Sequence, residues 1–379
     1  MKLLLHHARL ISPDKEIQDG GVLLENGRIS AVFESGDALP EADESIDIGG
    51  RFVMPGFIDI HSHGADGCDV CDDREESIRH IARRKLQEGV TTWLPTTLAQ
   101  AQEKLESIAA KCAAYMADPT ACRAPGLHVE GPFINRANAG AQNPEFIRPP
   151  DVAELERIHA IAPVRVLSIA PEVEDADIVI ERASGLGITC SAAHTSATAA
   201  QIFDAKTAGL RHLTHFCNAM TPIHHREIGV VGAGLLDDSL MIELIPDTIH
   251  LCPDMLKLVF KLVSADRLML ITDSTAASWR GDGGVDLGGL ACTVKHGRVT
   301  LRDGGALAGS TLLYNEGLRN VARLTRMPLD QLVKTTSWNQ ARSLGLDGHG
   351  KLEPGYHADL VILDQDFHVL QTFVGGIMK

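Results

Sequence analysis

Hydrophobic and polar positions along the chain follow two rhythms. The first fifty residues hold short segments, such as Gly21-Val22-Leu23-Leu24-Glu25 and Ile29-Ser30-Ala31-Val32-Phe33, punctuated by Asn26-Gly27 and Gly49-Gly50. Short alternating runs bounded by turn formers predict strands. The texture returns near the C-terminus in Asp359-Leu360-Val361-Ile362-Leu363-Asp364 and His368-Val369-Leu370, after the turn-forming Glu353-Pro354-Gly355. The two ends are therefore expected to pair, forming a small discontinuous β-sandwich domain from residues 1–52 and 346–379.

Residues 53–345 carry the second rhythm. Short β-branched runs alternate with helical stretches such as Asp151 to Ala160 and Ala199 to Ala208, an order that predicts a parallel sheet. Eight runs can be counted: Gly56 to Ile60, Thr91 to Leu94, Gly126 to Val129, Arg165 to Ile169, Ile188 to Ala192, Arg211 to Leu213, Met241 to Ile245 and Leu268 to Thr272. Eight such units predict a (β/α)8 TIM barrel, whose strands all end on one face, where the active sites of this fold are built. Polar residues recur just after the runs: His61 and His63, Glu130, His194, His215, Asp247 and His250, and Asp273. Scattered solvated side chains would not repeat that position.

Composition narrows the function classes. The 379 residues, 44% hydrophobic and 22% charged, are ordinary for a globular chain. The opening apolar run stops early at His6-His7, and no later run approaches the roughly 20 residues that span a bilayer. A soluble, cytoplasmic protein is expected, with no membrane partner. The net charge of −15 argues against nucleic acid, so an anionic small substrate would need local cations. Eight cysteines without repeating spacing do not read as a disulfide framework. Cys68 and Cys71 form an isolated C-x-x-C, read as two free thiols in a loop.

Glu130, His194 and His215 offer one carboxylate and two imidazoles, a set suited to a zinc-like divalent ion with a position left for water. Alone, either histidine is more often a hydrogen-bonded interior group; their shared placement favours ligation. His61-Ser62-His63 has i, i+2 spacing, which on a strand points both rings to one side. That pair can supply a second metal position or face the substrate. Asp273 follows the apolar Leu268-Met269-Leu270-Ile271-Thr272 and is the natural general base, although a carboxylate there can also cap the next segment. Arg226, in the loop His224-His225-Arg226-Glu227, suits a phosphate through its planar fork or an ion pair with Glu227. His250 can bind substrate or face solvent. Spacing leaves these alternatives open.

Taken together, these residues resemble the N-acetylglucosamine-6-phosphate deacetylases of the amidohydrolase superfamily. The likeness runs over nearly the whole chain. It rests on Pro55-Gly56-Phe57-Ile58-Asp59, Gly126-Leu127-His128-Val129-Glu130-Gly131-Pro132-Phe133, Gly140 through Pro144, and Ala193-His194-Thr195-Ser196-Ala197-Thr198. It continues in Thr214-His215-Phe216-Cys217-Asn218-Ala219-Met220, His225-Arg226-Glu227, Thr272-Asp273-Ser274-Thr275 and Leu307-Ala308-Gly309-Ser310.

The resemblance implies that Glu130, His194 and His215 hold the catalytic metal and that Asp273 is the acid/base. His61 and His63 would match members with a second metal site. Zinc is the expected ion, with iron, manganese or cobalt as alternatives, one or two per subunit. Ala141, Asn218, Ala219, His225, Asp247, His250, Leu307, Ala308 and Gly309 are the expected substrate contacts. Arg226 would reach the phosphate from a neighbouring subunit, which implies a homodimer. The implied reaction releases acetate from N-acetylglucosamine-6-phosphate in amino-sugar catabolism. The rival readings are a deacetylase of an epimeric sugar phosphate, N-acetylgalactosamine-6-phosphate, another amidohydrolase acting on an N-acyl amino acid or cyclic amide, and a non-catalytic sugar-phosphate-binding barrel. Two positions depart from the family pattern: Ile228 stands where proline usually follows the Arg-Glu pair, and Thr248 stands where glycine usually precedes the substrate histidine.

Overall fold

A computed structural model describes residues 2–379. Eight parallel strands follow one another in sequence order: Phe57–Ser62, Val90–Thr97, Leu127–Glu130, Val164–Ile169, Thr189–Ala192, Leu210–Leu213, Met241–Leu244 and Leu268–Leu270. All eight expected runs are strands, and each neighbouring pair is parallel. A helix follows every strand, from Glu75–Gln87 after the first to Tyr314–Thr325 after the eighth. The expected helix at Asp151 begins at Val152, because the Asp151 carboxylate accepts the Ala153 N–H at 2.8 Å and so caps the first turn. Ala199–Ala208 opens on a reciprocal cap between Thr198 and Gln201.

The barrel closes at its C-terminal rim. Asp273 N–H donates to the His61 carbonyl at 2.9 Å, and His63 N–H donates to the Ser274 carbonyl at 2.8 Å. The seam therefore joins the eighth strand's exit to the first strand's histidines, which fixes the distance between Asp273 and the His61/His63 pair.

Both chain ends enter one sheet, through the antiparallel pairing of Leu360–Leu363 with Phe52–Pro55. Eight strands wrap an apolar cluster that includes Leu5, Leu10, Val22, Ile29, Val53, Leu360 and Phe373. Phe52–Pro55 belongs to this sheet by hydrogen bonding, and Phe57 opens the barrel, with Gly56 between them. A Cβ at Gly56 would lie 2.2 Å from the Thr91 side chain, so glycine lets the chain pass this close to the second strand.

A further sheet lies outside the two rhythms. Gly283–Leu287, Leu290–Lys295 and Arg298–Leu301 form a three-stranded antiparallel flap between the eighth strand and its helix. No helix among the described residues is long and apolar enough to cross a membrane.

Candidate active site

Glu130 ends the third strand, while His194 and His215 follow the fifth and sixth. His215 Nε2 lies 3.2 Å from Glu130 Oε1 and 3.3 Å from His194 Nε2, and His194 Nε2 lies 3.4 Å from the same Glu130 oxygen. Bonds of about 2.0–2.1 Å to a tetrahedral ion place ligand atoms roughly 3.3 Å apart, so this triangle has the size such an ion requires. A second group adjoins it. His63 Nε2 lies 3.2 Å from His61 Nε2 and 3.1 Å from Asp273 Oδ1, and His61 Nε2 lies 3.6 Å from that oxygen. Glu130 faces both groups, at 3.4 Å from His61 Nε2 through one oxygen and 3.4 Å from His63 Nε2 through the other.

The ring tautomers agree with metal binding. His194 Nδ1 donates to the Asn138 carbonyl at 2.8 Å, and His63 Nδ1 donates to the Thr96 carbonyl at 3.2 Å. A neutral ring with its proton on Nδ1 turns the Nε2 lone pair into the cluster. The electrostatics also demand positive charge. Burial by itself would keep His61, His63 and His194 neutral, yet the Glu130 carboxylate outweighs it at His61 and His194, and Asp273 together with Glu130 outweighs it at His63, so the pKa values of all three are raised. Burial opposes the charge of Glu130 and Asp273 as well, but the surrounding imidazoles hold both below the usual carboxylate range. A divalent cation supplies that charge without protonating its ligands.

His194, His215 and Asp273 have φ values of +45°, +33° and +49°. Left-handed backbone is costly for residues with a Cβ, about 1–3 kcal/mol each. It turns each side chain inward where the strand ends. Gly309 packs beneath Asp273 at φ +57°, and a Cβ there would lie 2.4 Å from Thr275 Cγ2.

Several supporting residues escaped the sequence reading. Gln142 donates to Glu130 Oε2 at 2.6 Å and accepts the Ala99 N–H at 2.6 Å, so it fixes one carboxylate oxygen. Glu243, buried inside the barrel, accepts from His212 Nδ1 at 3.1 Å through one oxygen. Its other oxygen lies 3.7 Å from His61 Nδ1, and neither atom has another partner. The available signal was a lone carboxylate in the apolar run Met241 to Ile245. Lys85, fully buried, donates to Asp59 and Glu88 at 3.1 Å and to Ser274 at 2.9 Å, beside Asp273.

A cavity of about 420 Å³ opens over the cluster, within the usual range for small-molecule sites. Ala141, Asn218, Ala219, His250, Leu307 and Gly309 line it together with His63, Glu130, His194, His215 and Asp273. The flap contributes Leu287, and Leu98, Asn138 and Met220 complete walls that the sequence reading did not include. Four expected contacts stand elsewhere. Ala308 is buried behind the wall. Asp247 acts on His250: it accepts from Nδ1 at 2.6 Å and from the His250 N–H at 2.8 Å, which aims the ring. His225 and Arg226 lie on an exposed hairpin, with the guanidinium 2.8 Å from His225 Nε2, while Glu227 accepts the Ala199 and Gly229 N–H groups. Among the described residues, no lysine or arginine lines the cavity.

The two departures are local. Thr248 is exposed at φ +65°, a conformation glycine favours, and its side chain stays out of the cavity. Ile228 has φ −77°, a value proline also adopts. Cys68 and Cys71 are free; Cys71 is buried, and burial raises its thiol pKa well above the ordinary value.

Residues 52–378 match the model of the amidohydrolase family. The chain is 35% identical to the Bacillus subtilis N-acetylglucosamine-6-phosphate deacetylase over 99% of its length and 96% of the relative's. It is also 35% identical to an Escherichia coli N-acetylgalactosamine-6-phosphate deacetylase, over 99% of both chains. Among solved structures, a Mycobacterium smegmatis N-acetyl-D-glucosamine-6-phosphate deacetylase variant in complex with N-acetyl-D-glucosamine-6-phosphate superposes with a TM-score of 0.93 at 29% identity, covering 100% of this chain and 98% of that one. The chain therefore belongs to the amidohydrolase family and, within it, to the N-acetylglucosamine-6-phosphate deacetylases.

Proposed function

We propose that the protein hydrolyses the acetamide of N-acetylglucosamine-6-phosphate, releasing acetate and glucosamine-6-phosphate. The observation that carries this reading is the convergence of two ligand triads, Glu130/His194/His215 and His61/His63/Asp273, on one cavity. A divalent ion held by these groups supplies Lewis acidity, acidifying water and polarising an acyl oxygen. Zinc suits the mixed nitrogen and oxygen donors, as do iron, manganese and cobalt. Two triads support two ions.

The remaining work belongs to the chain. Asp273, held as a carboxylate by His63, accepts the proton of the attacking water and returns it to the departing nitrogen. Burial opposes a charge on His250, but the hydrogen bond and charge of Asp247 outweigh it and raise the ring's pKa; as an imidazolium held at Nδ1 by Asp247, it faces the same space and is placed to donate from Nε2 to the acyl oxygen. Leu98, Met220, Leu287 and Leu307 keep bulk water from the sugar.

A phosphorylated substrate needs a cation that the cavity does not provide from its own wall. Arg226, exposed and without a carboxylate partner among the described residues, is placed to project from the surface towards another molecule. A homodimer in which each subunit lends Arg226 to its neighbour meets that need. The free state of all eight cysteines agrees with a cytoplasmic setting.

Acetate release should be compared for N-acetylglucosamine-6-phosphate, its galacto epimer and unphosphorylated N-acetylglucosamine. The reading expects the glucose-configured phosphate to be preferred. Preference for the galacto epimer would move the substrate to that of the Escherichia coli relative, and equal rates without phosphate would remove the role of Arg226. Absence of release from all three would overturn the reading.

A further inference from the structure

Strand Lys2–Ser12 breaks its own alternation at one place. Successive side chains in a strand point to opposite faces, yet His6 and His7 stand together, with their Nδ1 atoms 3.2 Å apart and their rings edge to face. The cause is an irregularity between Leu5 and Ala8 in the pairing with Lys15–Glu25, where His7 takes φ +50°. The backbone pins this bulge: Ile48 N–H donates to the His6 carbonyl at 2.9 Å and Gly50 N–H to the His7 carbonyl at 2.7 Å. Strand Glu44–Asp47 sets Asp47 directly opposite His6. One Asp47 oxygen accepts the Gly49 N–H at 2.8 Å, and the other lies 3.1 Å from His7 Nδ1.

We infer that His6, His7 and Asp47 form a peripheral binding site for a divalent transition-metal ion of the zinc class. The three ligand atoms lie within 4.8 Å of one another. The two shortest separations, 3.2 and 3.1 Å, approach the roughly 3.3 Å edge of a tetrahedral site with 2.0–2.1 Å bonds. Two imidazoles and one carboxylate select zinc, nickel or copper over magnesium and calcium, which prefer oxygen. None of the three lines the barrel-mouth cavity, and His7 and Asp47 are exposed, so an ion reaches them from solvent without passing the active site.

The site repeats, on the surface, the device used at the barrel mouth. A left-handed residue turns an imidazole away from its strand's ordinary direction, and hydrogen bonds to the neighbouring backbone hold the turn. An ion there would join residues 40 positions apart in the chain and tie strand Lys2–Ser12 to the end of strand Glu44–Asp47. Binding only to the folded sheet, it would stabilise that sheet.

The test titrates Zn²⁺ by calorimetry into the holoenzyme, with the barrel-mouth ions already in place, and compares His7→Asn and Asp47→Asn. Asparagine tolerates the left-handed backbone at position 7, and at position 47 it keeps an oxygen for the Gly49 N–H. The native chain should bind one further equivalent of Zn²⁺ and show a raised Tm, with no response to Mg²⁺. Each variant should lose that equivalent and the rise in Tm while retaining its barrel-mouth metal content. No further equivalent in the native chain, or undiminished uptake by either variant, overturns the inference. Circular dichroism of both variants separates lost binding from lost fold.

Discussion

Three residues at the barrel mouth, His194, His215 and Asp273, occupy backbone conformations that a sequence does not advertise. Each follows an apolar run, and that position was readable; the left-handed turn that brings the side chain inward was not. Asp273 also shows why a role needs a neighbourhood: the same carboxylate at a loop start would be a plain cap, but here it meets His61 and His63. Asp273→Asn keeps one oxygen towards His63 and removes the proton acceptor. Turnover should fall by on the order of 100 to 10,000-fold, while metal analysis finds the Glu130 triad still loaded. Near-full activity would exclude Asp273 as the base. Asp247 and Glu243 carry a related lesson, since each is read correctly only through the histidine beside it.

At the scale of elements, alternating runs located all eight barrel strands because buried parallel strands are short apolar segments whatever surrounds them. The flap was missed for the opposite reason. Its strands are half exposed and glycine-bounded, and their burial alternates in Leu290–Lys295 without a sustained apolar run. Helix Glu75–Gln87 is bound to the site through Lys85, which joins Asp59 of the first strand to Ser274 beside Asp273. Burial opposes the lysine's charge, but Glu88 and Asp59 outweigh it and raise its pKa. Lys85→Ala would leave two buried carboxylates without their cation, and a loss of about 3–5 kcal/mol is expected in denaturant unfolding. A loss below 1 kcal/mol would show the network to be dispensable.

Helices Ala199–Ala208 and Gly229–Leu236 meet through Lys206 and Asp237. Partial burial pushes the Asp237 pKa up, but bonds from Lys206 and Ser239 more than reverse this and lower it to about 2. A depressed folded-state pKa contributes stability above the unfolded value near 4 and loses it as pH falls through 2. Asp237→Asn should therefore cost about 1 kcal/mol at neutral pH, allowing for solvent screening. Its unfolding midpoint should converge on that of the native chain between pH 4 and pH 2. A constant gap across that window would locate the effect in packing instead.

For the whole molecule, the decisive question is whether one subunit completes another. Asp273→Asn lacks the base and Arg226→Ala lacks the surface cation, so each alone should be nearly inactive on the phosphorylated sugar. In the proposed homodimer, random mixing would make half of the dimers hybrid, and each hybrid would have one site with both residues intact. About a quarter of native turnover should return on co-refolding. Failure to recover activity, with hybrid dimers shown to be present, would place the phosphate contact elsewhere.

The sequence by itself determined the eight-unit rhythm, the return of the C-terminal strands to the N-terminal sheet, and the residue types standing at the strand ends. These are local matters, set by where apolar runs stop and which side chains follow. Tertiary structure alone decided that Glu130 faces both triads, that Gln142 bonds Glu130 and Glu243 faces His61, and that Arg226 stands outside its own chain's cavity. Those relations depend on the closure of the barrel and on backbone turns of a few residues. Neither leaves a periodic trace in the chain, because contacts between residues far apart in sequence are fixed by strand order and side-chain direction in space.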